Sequence, residues 1–414
     1  MLVDVRQVIE GSLEGVKGVD FGFIPVETLE PDQLKNALEI MPTAKAVLSL
    51  AVKYNQSAVK SQHQPVSNME FRSAYRKRDN LCTSLVEGLQ ENGVEAVAVT
   101  DTFALNYDLE TPWLIAHKDV AEKAGIGVMG TNRIILHEQF GAAFVLASIL
   151  LSREPNQFDA PADYAPCLNC NLCRTVCPTG SIGKDNFDMM GCYTHNYRNR
   201  GNSLGDLVQR SGGRDKGLDA LNYDDVSKLW ASVQEGFGFS CNRCVAVCPA
   251  ATAEKQQFTD DRKSYYQTYV HPFVSKNEVV YVKKGSRAEG FVMEKGLKRA
   301  KRVSNGLTLD SIDAFKHGLK IVLDHQRASG VNRRFGFQFT GHMATDFVAV
   351  LEEGILHIEE GPPMKTDMTL VADGDMWLQF LKNQKLLLKG LITGKMKIKG
   401  SPSLLKEFGD LFPV

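Results

Sequence analysis

Eight of the nine cysteines fall between Cys167 and Cys248, in a spacing that selects for one kind of chemistry. The first run is Cys167-Leu-Asn-Cys170-Asn-Leu-Cys173-Arg-Thr-Val-Cys177-Pro178, that is C-x2-C-x2-C-x3-C-P. The second, Cys241-Asn-Arg-Cys244-Val-Ala-Val-Cys248-Pro249, lacks one cysteine of that pattern, and the isolated Cys192 is needed to complete it. Three thiolates on a tight loop with two-residue gaps can grip three corners of one iron–sulfur cubane while the fourth ligand lies further off. Eight thiolates then make two four-cysteine sites. Structural zinc also favours four-cysteine sites, and an oxidising compartment would allow disulfides. Neither explains the paired Cys-Pro endings or the three evenly spaced cysteines, and a zinc ribbon usually shows two C-x2-C pairs instead. The ninth cysteine, Cys82, lies in a helical pattern and reads as a buried free thiol.

The first run resembles that of bacterial ferredoxins, in which the cysteine before each proline serves the other of two clusters. Carried over, the resemblance implies one [4Fe–4S] cluster on Cys167, Cys170, Cys173 and Cys248, and another on Cys241, Cys244, Cys177 and Cys192. Such crossing would bring the clusters close enough for electron hopping.

These residues need a scaffold, and a chain of 414 residues, 43% hydrophobic and 23% charged, is long enough for two or three domains with real cores. A net charge of −1 predicts no strongly charged partner. The first residues carry no basic region followed by an apolar core and no twin-arginine signal, so a cytoplasmic location is expected. The longest apolar run, Gly141 to Leu151, is too short to cross a bilayer, and no membrane span is expected.

Residues 1–160 read as an α/β cofactor-binding domain, with apolar strands at Ala46 to Val52 and Glu95 to Thr100 and a helical pattern between them through Leu81, Leu85 and Leu89. The segment Ala124-Gly-Ile-Gly-Val-Met-Gly-Thr-Asn132 places glycines where the backbone must turn tightly or approach a cofactor. With Tyr54 ending the early strand, the Phe140-Gly141 pair and the eight-cysteine layout, residues 40 to 255 resemble the cobalamin-dependent iron–sulfur reductases, namely epoxyqueuosine reductase and the catalytic part of reductive dehalogenases. The resemblance implies base-off cobalamin between an α/β domain and a ferredoxin-like double-cluster domain, here residues 161–258. Gly125, Gly127, Gly130 and Asn132 become the candidate cofactor-binding residues. The chain has no Asp-x-His-x-x-Gly motif that would supply a lower histidine ligand, which is compatible with the family and equally with no corrinoid. The resemblance also implies an acidic proton donor ahead of the Ala-Gly segment. The corresponding stretch offers Asp108, Glu110 and His117, against the simpler readings of Asp108 as a helix cap and His117 as an ordinary histidine.

The long interval between Cys192 and Cys241 reads either as a lid or docking surface or as a tolerated insertion. Residues 259–307 read as a linker. Its basic residues, Lys283, Lys284, Arg287, Lys295, Lys298, Arg299, Lys301 and Arg302, form a solvated face or a docking patch for an acidic electron donor or RNA.

Residues 308–414 are different in kind. Phe335, Phe337 and Phe339 alternate with smaller or polar residues as one aromatic face of a strand, and further strands follow at 345–351, 355–359 and 368–372. A helix with Asp375 as N-cap comes next. The stretch Gly394-Lys-Met-Lys-Ile-Lys-Gly400 before a final helix resembles the sterol carrier protein type 2 domain, which implies an α+β fold with an apolar tunnel.

Together these features predict an enzyme: an iron–sulfur reductase that passes low-potential electrons through two [4Fe–4S] clusters to a cobalamin-type cofactor and reduces a small hydrophobic or lipid-attached substrate. The electrons would come from a donor of the ferredoxin or flavodoxin class. One alternative is an electron-transfer protein or reductive activator without its own corrinoid. Another is an epoxyqueuosine reductase acting on tRNA. The unclear acidic residue, the long Cys192 to Cys241 interval and the extra C-terminal domain argue against tRNA as a partner.

Overall fold

A computed structural model of the chain describes residues 4–100, 114–184, 186–196, 241–303, 309, 311–382 and 386–412. The chain divides into two compact units, the first holding most of residues 1–305 and the second residues 306–414 with two short upstream pieces.

The first unit is built on a four-stranded sheet in the order β1 (Val19–Pro25), β2 (Ala46–Lys53), β6 (Phe144–Leu151), β3 (Ala96–Val99), and every neighbouring pair is antiparallel. Strand β2, Ala-Val-Leu-Ser-Leu-Ala-Val-Lys, is buried at every position but the last, so both of its faces are covered. Alternate residues go to opposite sides. Leu48, Leu50 and Val52 share a core with Val5 and Ile9 of α1 (Val5–Ser12) and Leu85 and Leu89 of α3 (Gln64–Glu91). Val47 and Ala51 pack with Ala37 of α2 (Pro31–Ile40) and Val120 and Ala121 of α4 (His117–Lys123). The result is a mixed α/β layer structure whose buried central strands are antiparallel.

Beyond the sheet edge, β4 (Val128–Met129) and β5 (Ile135–Leu136) form a small hairpin that carries Gly130 to Arg133 at its turn. The cysteine-bearing segments do not form a separate unit. Leu172 and Val176 of α5 (Leu172–Val176), with Val245, Ala246 and Val247 around α6 (Arg243–Ala246), sit in the same core as Leu48 and Leu50. The apolar residues between the cysteines therefore join this segment to the sheet, and the expected boundary at residue 160 is replaced by one near residue 305. The stretch 259–307, expected as a linker, is folded wherever it is described. Its elements include β7 (Val279–Val282) paired in parallel with β8 (Arg299–Arg302) across α7 (Arg287–Lys295), closed by a small core of Val280, Val282, Ala288 and Val292.

The second unit is a five-stranded sheet in the order β11 (Ile355–Glu360), β10 (Asp346–Glu352), β9 (Arg333–Thr340), β12 (Met368–Asp373), β13 (Met396–Gly400). Only β9 and β12 run parallel. Phe335, Phe337 and Phe339 all face the core, as their alternation predicts. Phe337 stacks on Phe347 at 4.8 Å, and Phe315 of α8 (Ile312–Val322) meets Trp377 of α9 (Gly374–Lys382) edge-on at 5.4 Å. The N-cap of α9 is Asp373 rather than Asp375, because the chain enters the helix directly from β12 and Asp373 Oδ1 accepts from the backbone N–H of Met376 at 3.0 Å. Phe337→Ala is expected to destabilise the second unit by about 3–5 kcal/mol, read as a lower unfolding midpoint in denaturant.

Candidate metal centre

Cys167, Cys170, Cys173 and Cys248 line one cavity, closed by Thr131, Asn132, Leu136, Pro249 and Ala250. The loop bearing the first three is bent at Asn169 and Asn171, whose φ angles of 50° and 61° lie in the left-handed region that asparagine tolerates better than most residues. In such turns successive N–H groups form an anion-binding concavity. The backbone amides of Asn169, Leu172, Arg174 and Ala250 lower the proton affinity of Cys167, Cys170, Cys173 and Cys248 respectively. Burial, with the neighbouring Cys170 next, pushes the Cys173 thiol up to about 12. Burial does the same to Cys248, with Cys173, Cys170 and Cys167 adding to the effect. Burial raises Cys167 as well, but hydrogen bonds from Thr131 and Asn169 outweigh it and leave that thiol below its ordinary value.

The other four thiols form a second group. Cys244 is held well above the ordinary range by burial and then by Cys241, Cys192 and Cys177. Burial raises Cys241, Arg243 opposes it, and Cys177 adds to it. The Cys177 sulfur accepts from the Ser181 N–H at 3.3 Å and lies 3.5 Å from Thr179 Oγ1. Cys241 is anchored through its own N–H, which donates to Asn196 Oδ1 at 2.8 Å. Cys248 thus groups with the first run and Cys177 with the second, and Cys173 is the thiol of the first group felt at Cys244.

This arrangement fits iron–sulfur clusters. The bare thiols repel one another as anions and resist ionising, so a cation that takes thiolates would bind with release of protons. Among the described residues, no three His, Cys, Asp or Glu side chains converge on the position of a single metal ion. The first four surround a cavity instead, as sulfurs do when an iron lies behind each corner of a cubane.

The candidate cofactor glycines are occupied by the chain itself. A Cβ on Gly125 would meet the Ala160 carbonyl oxygen at 2.5 Å, one on Gly127 the Leu136 oxygen at 2.5 Å, and one on Gly130 Leu136 Cδ1 at 2.7 Å. They allow the hairpin to close on its own strands and on the segment after the sheet. Asn132 belongs to the thiol site, where its Oδ1 accepts from the Ile134 N–H at 3.2 Å and its Nδ2 donates to the Cys244 carbonyl at 3.4 Å. Thr131, which sequence reasoning missed, lies 3.5 Å from Cys167 Sγ. The hairpin turn therefore touches both cysteine runs.

Among the proton-donor candidates, Asp108 and Glu110 lie outside the described residues. His117 is described, and it does not suit that role. Burial, reinforced by Arg78, lowers its pKa to about 3, and its Nδ1 lies 2.8 Å from Ser148 Oγ beneath the sheet. It carries no spare proton charge near neutral pH.

Part of the basic stretch is engaged by neighbouring groups of its own unit. Lys298 Nζ donates to Glu278 Oε1 at 2.7 Å, Arg302 pairs with Glu289, Arg287 donates to the Gly180 carbonyl at 2.9 Å, and Lys301 lies 5.6 Å from the Tyr281 ring centre. Lys298 and Arg287 are therefore tied into the fold, whereas Arg302 stays 59% exposed. His195, beside them, is kept neutral by burial and by the cations of Arg243 and Lys298, which lower its pKa to about 3.

No protein-family profile matches the chain. It is similar to epoxyqueuosine reductases. The protein of that name from Cyclobacterium marinum is 35% identical over 136 residues, covering 33% of this chain and 36% of the relative. That from Gloeobacter violaceus is 23% identical over 222 residues, covering 51% and 58%. The chain thus spans less than two thirds of the length of these relatives. Among solved structures, an epoxyqueuosine reductase with an epoxyqueuosine-modified tRNA-Tyr stem loop is 19% identical, covering 61% of this chain and 67% of that one, with a TM-score of 0.38. The expectation that argued against tRNA is corrected, because the curated relatives the chain resembles are epoxyqueuosine reductases. That expectation rested on features outside the cysteine layout: an acidic residue and a long interval that lie outside the described residues, and an added C-terminal unit. Among the described residues, no helix is long and apolar enough to cross a membrane.

Two outcomes test this geometry. The double variant Cys167→Ala/Cys248→Ala is expected to keep about half of the roughly eight irons, whereas Cys241→Ala/Cys248→Ala loses nearly all, by iron analysis of anaerobically prepared protein. For His117, the unfolded chain binds a proton near pH 6.5 that the folded chain refuses until about pH 3, so stability present above pH 6.5 is lost as the pH falls through that window. His117→Gln is expected to flatten part of that fall, seen by comparing unfolding midpoints at pH 7 and pH 5.

Proposed function

We propose that the chain is an iron–sulfur reductase of the cobalamin type, with the epoxide-bearing nucleoside of a tRNA as its substrate. The observation that carries the reading is the separation of eight cysteines into two four-thiol groups, crossed so that each run lends its pre-proline cysteine to the other. Similarity to epoxyqueuosine reductases supports the choice of substrate. Cys167, Cys170, Cys173 and Cys248 would hold one [4Fe–4S] cluster, and Cys177, Cys192, Cys241 and Cys244 the other. A corrinoid, when bound, supplies the reductive chemistry at carbon that iron–sulfur clusters alone do not. The corrinoid rests on sequence similarity, and no residue is assigned to hold it.

The chain's own part is to pass electrons and deliver protons. Electrons arriving singly from a low-potential donor would move across the short interval between the groups, where Cys173 and Cys244 approach. In pairs they meet the requirement for removing an epoxide oxygen as water. Asp108 and Glu110 are the proposed sources of the proton, since His117 is held neutral.

For the second unit, the five-strand order and the basic final strand support a sterol-carrier-type fold. Its interior is filled by its own aromatic side chains, among them Phe315, Phe335, Phe337, Phe347 and Trp377, all buried. That filling supports a packing role over a tunnel for a hydrophobic substrate.

The test is anaerobic incubation of the cluster-loaded chain with cobalamin, a low-potential reductant and tRNA carrying epoxyqueuosine, followed by nucleoside mass spectrometry. Conversion to queuosine is expected, with at least a hundredfold loss in Asp108→Asn or Glu110→Gln, whichever is the donor, within the range of ~10²–10⁴ for general acid catalysis. Loaded clusters with neither corrinoid binding nor conversion would favour the electron-transfer reading instead.

A further inference from the structure

The second thiol group lies against a buried set of charges that the proposed chemistry does not use. Arg243 stands between two of its cysteines, in Cys241-Asn-Arg-Cys244, and its cation favours the Cys241 thiolate. Its side chain turns away from solvent, 6% exposed, and pairs with Glu278, itself 14% exposed. Lys298, 12% exposed, completes the set by donating to Glu278 and to the carbonyls of Phe273 and Lys276, at 3.2 and 2.9 Å. Among the described residues, two largely buried cations therefore face one carboxylate. A buried charge without a counter-charge is unfavourable, so a further anion nearby would stabilise this set. Among the described residues, Arg243 Nη1 is buried without a hydrogen-bond partner. A cubane with four thiolate ligands carries net negative charge, which grows by one on each reduction without a proton.

We propose that Arg243, Glu278 and Lys298 set the reduction potential of the cluster on the second thiol group, their net positive charge stabilising its reduced form. The inference rests on the reading of the cysteines as cluster ligands and adds a direction to it. A cluster's potential follows its net charge, its hydrogen bonds and its exposure. Enclosure of the second group by itself disfavours adding negative charge, and the excess positive charge, of which Arg243 is felt at Cys241, opposes that penalty in a medium of low dielectric. Glu278 moderates the effect and can be changed independently of either cation. The three side chains act through the cluster and touch no substrate, so they are positioning residues in the electrostatic sense.

The sign of the response is the test. In full-length chain prepared anaerobically, redox titration followed by electron paramagnetic resonance would assign the second cluster as the signal lost in Cys241→Ala. Glu278→Gln is expected to shift its midpoint upward and Lys298→Gln downward, with the other cluster moving less in both. Lys298→Arg is expected to restore the wild-type value, and Glu278→Gln/Lys298→Gln to return towards it. A merely structural role would instead lower the iron content or move both variants in the same sense. Full iron content with unmoved midpoints overturns the inference alone. Protein that takes up no iron overturns the cluster reading as well. If Glu278→Gln does not fold, the comparison of Lys298→Gln with Lys298→Arg decides the matter.

Discussion

Burial of thiols beside one another is the constraint on which this molecule turns. Thiols brought together and withdrawn from water cannot ionise beside one another without a compensating cation, and burial drives Cys173 and Cys248 to about 12. The fold counters that penalty in part, with backbone amides directed at the sulfurs and with Thr131 beside Cys167. Proton loss and metal uptake are thus coupled by the same geometry that holds the ligands apart.

The sheet exists, in this view, to make those loops rigid. Strand β2 is buried on both faces and β6 nearly so, which gives the first unit a stiff centre. The hairpin of β4 and β5 extends from that centre and touches both cysteine runs through Thr131 and Asn132. The apolar residues between the cysteines enter the core of the sheet, so that a shift of either loop would open a packed interior. Glycines that suggest a cofactor turn serve this closure, because a side chain at Gly125 or Gly127 would strike a backbone carbonyl.

The two units solve the problem of a filled core differently. In the second, one aromatic strand supplies most of the packing, with Phe337 between Phe339, Phe347 and Phe408. Its alternation was readable because a strand buried on one face must repeat every second residue. The charged stretch before it was not readable in the same way. Lys298 looks solvated in sequence, and only its meeting with Glu278 shows it as part of the fold.

Ligand type and number are local properties of the chain, so the cysteine runs, the aromatic strand and the basic final strand could be read directly from residue order. The role of Asn169 and Asn171 was also within reach, since asparagine beside a cysteine in a tight loop signals a left-handed turn. Partnership between distant residues is not local. Asn132 with the Cys244 carbonyl, His117 beneath the sheet beside Ser148, and Lys298 with Glu278 are separated by many residues and joined by packing alone. Hence the kind of chemistry was decided by spacing along the chain, while the surroundings of each group, and through them its charge and proton affinity, were decided by which segments the core brings together.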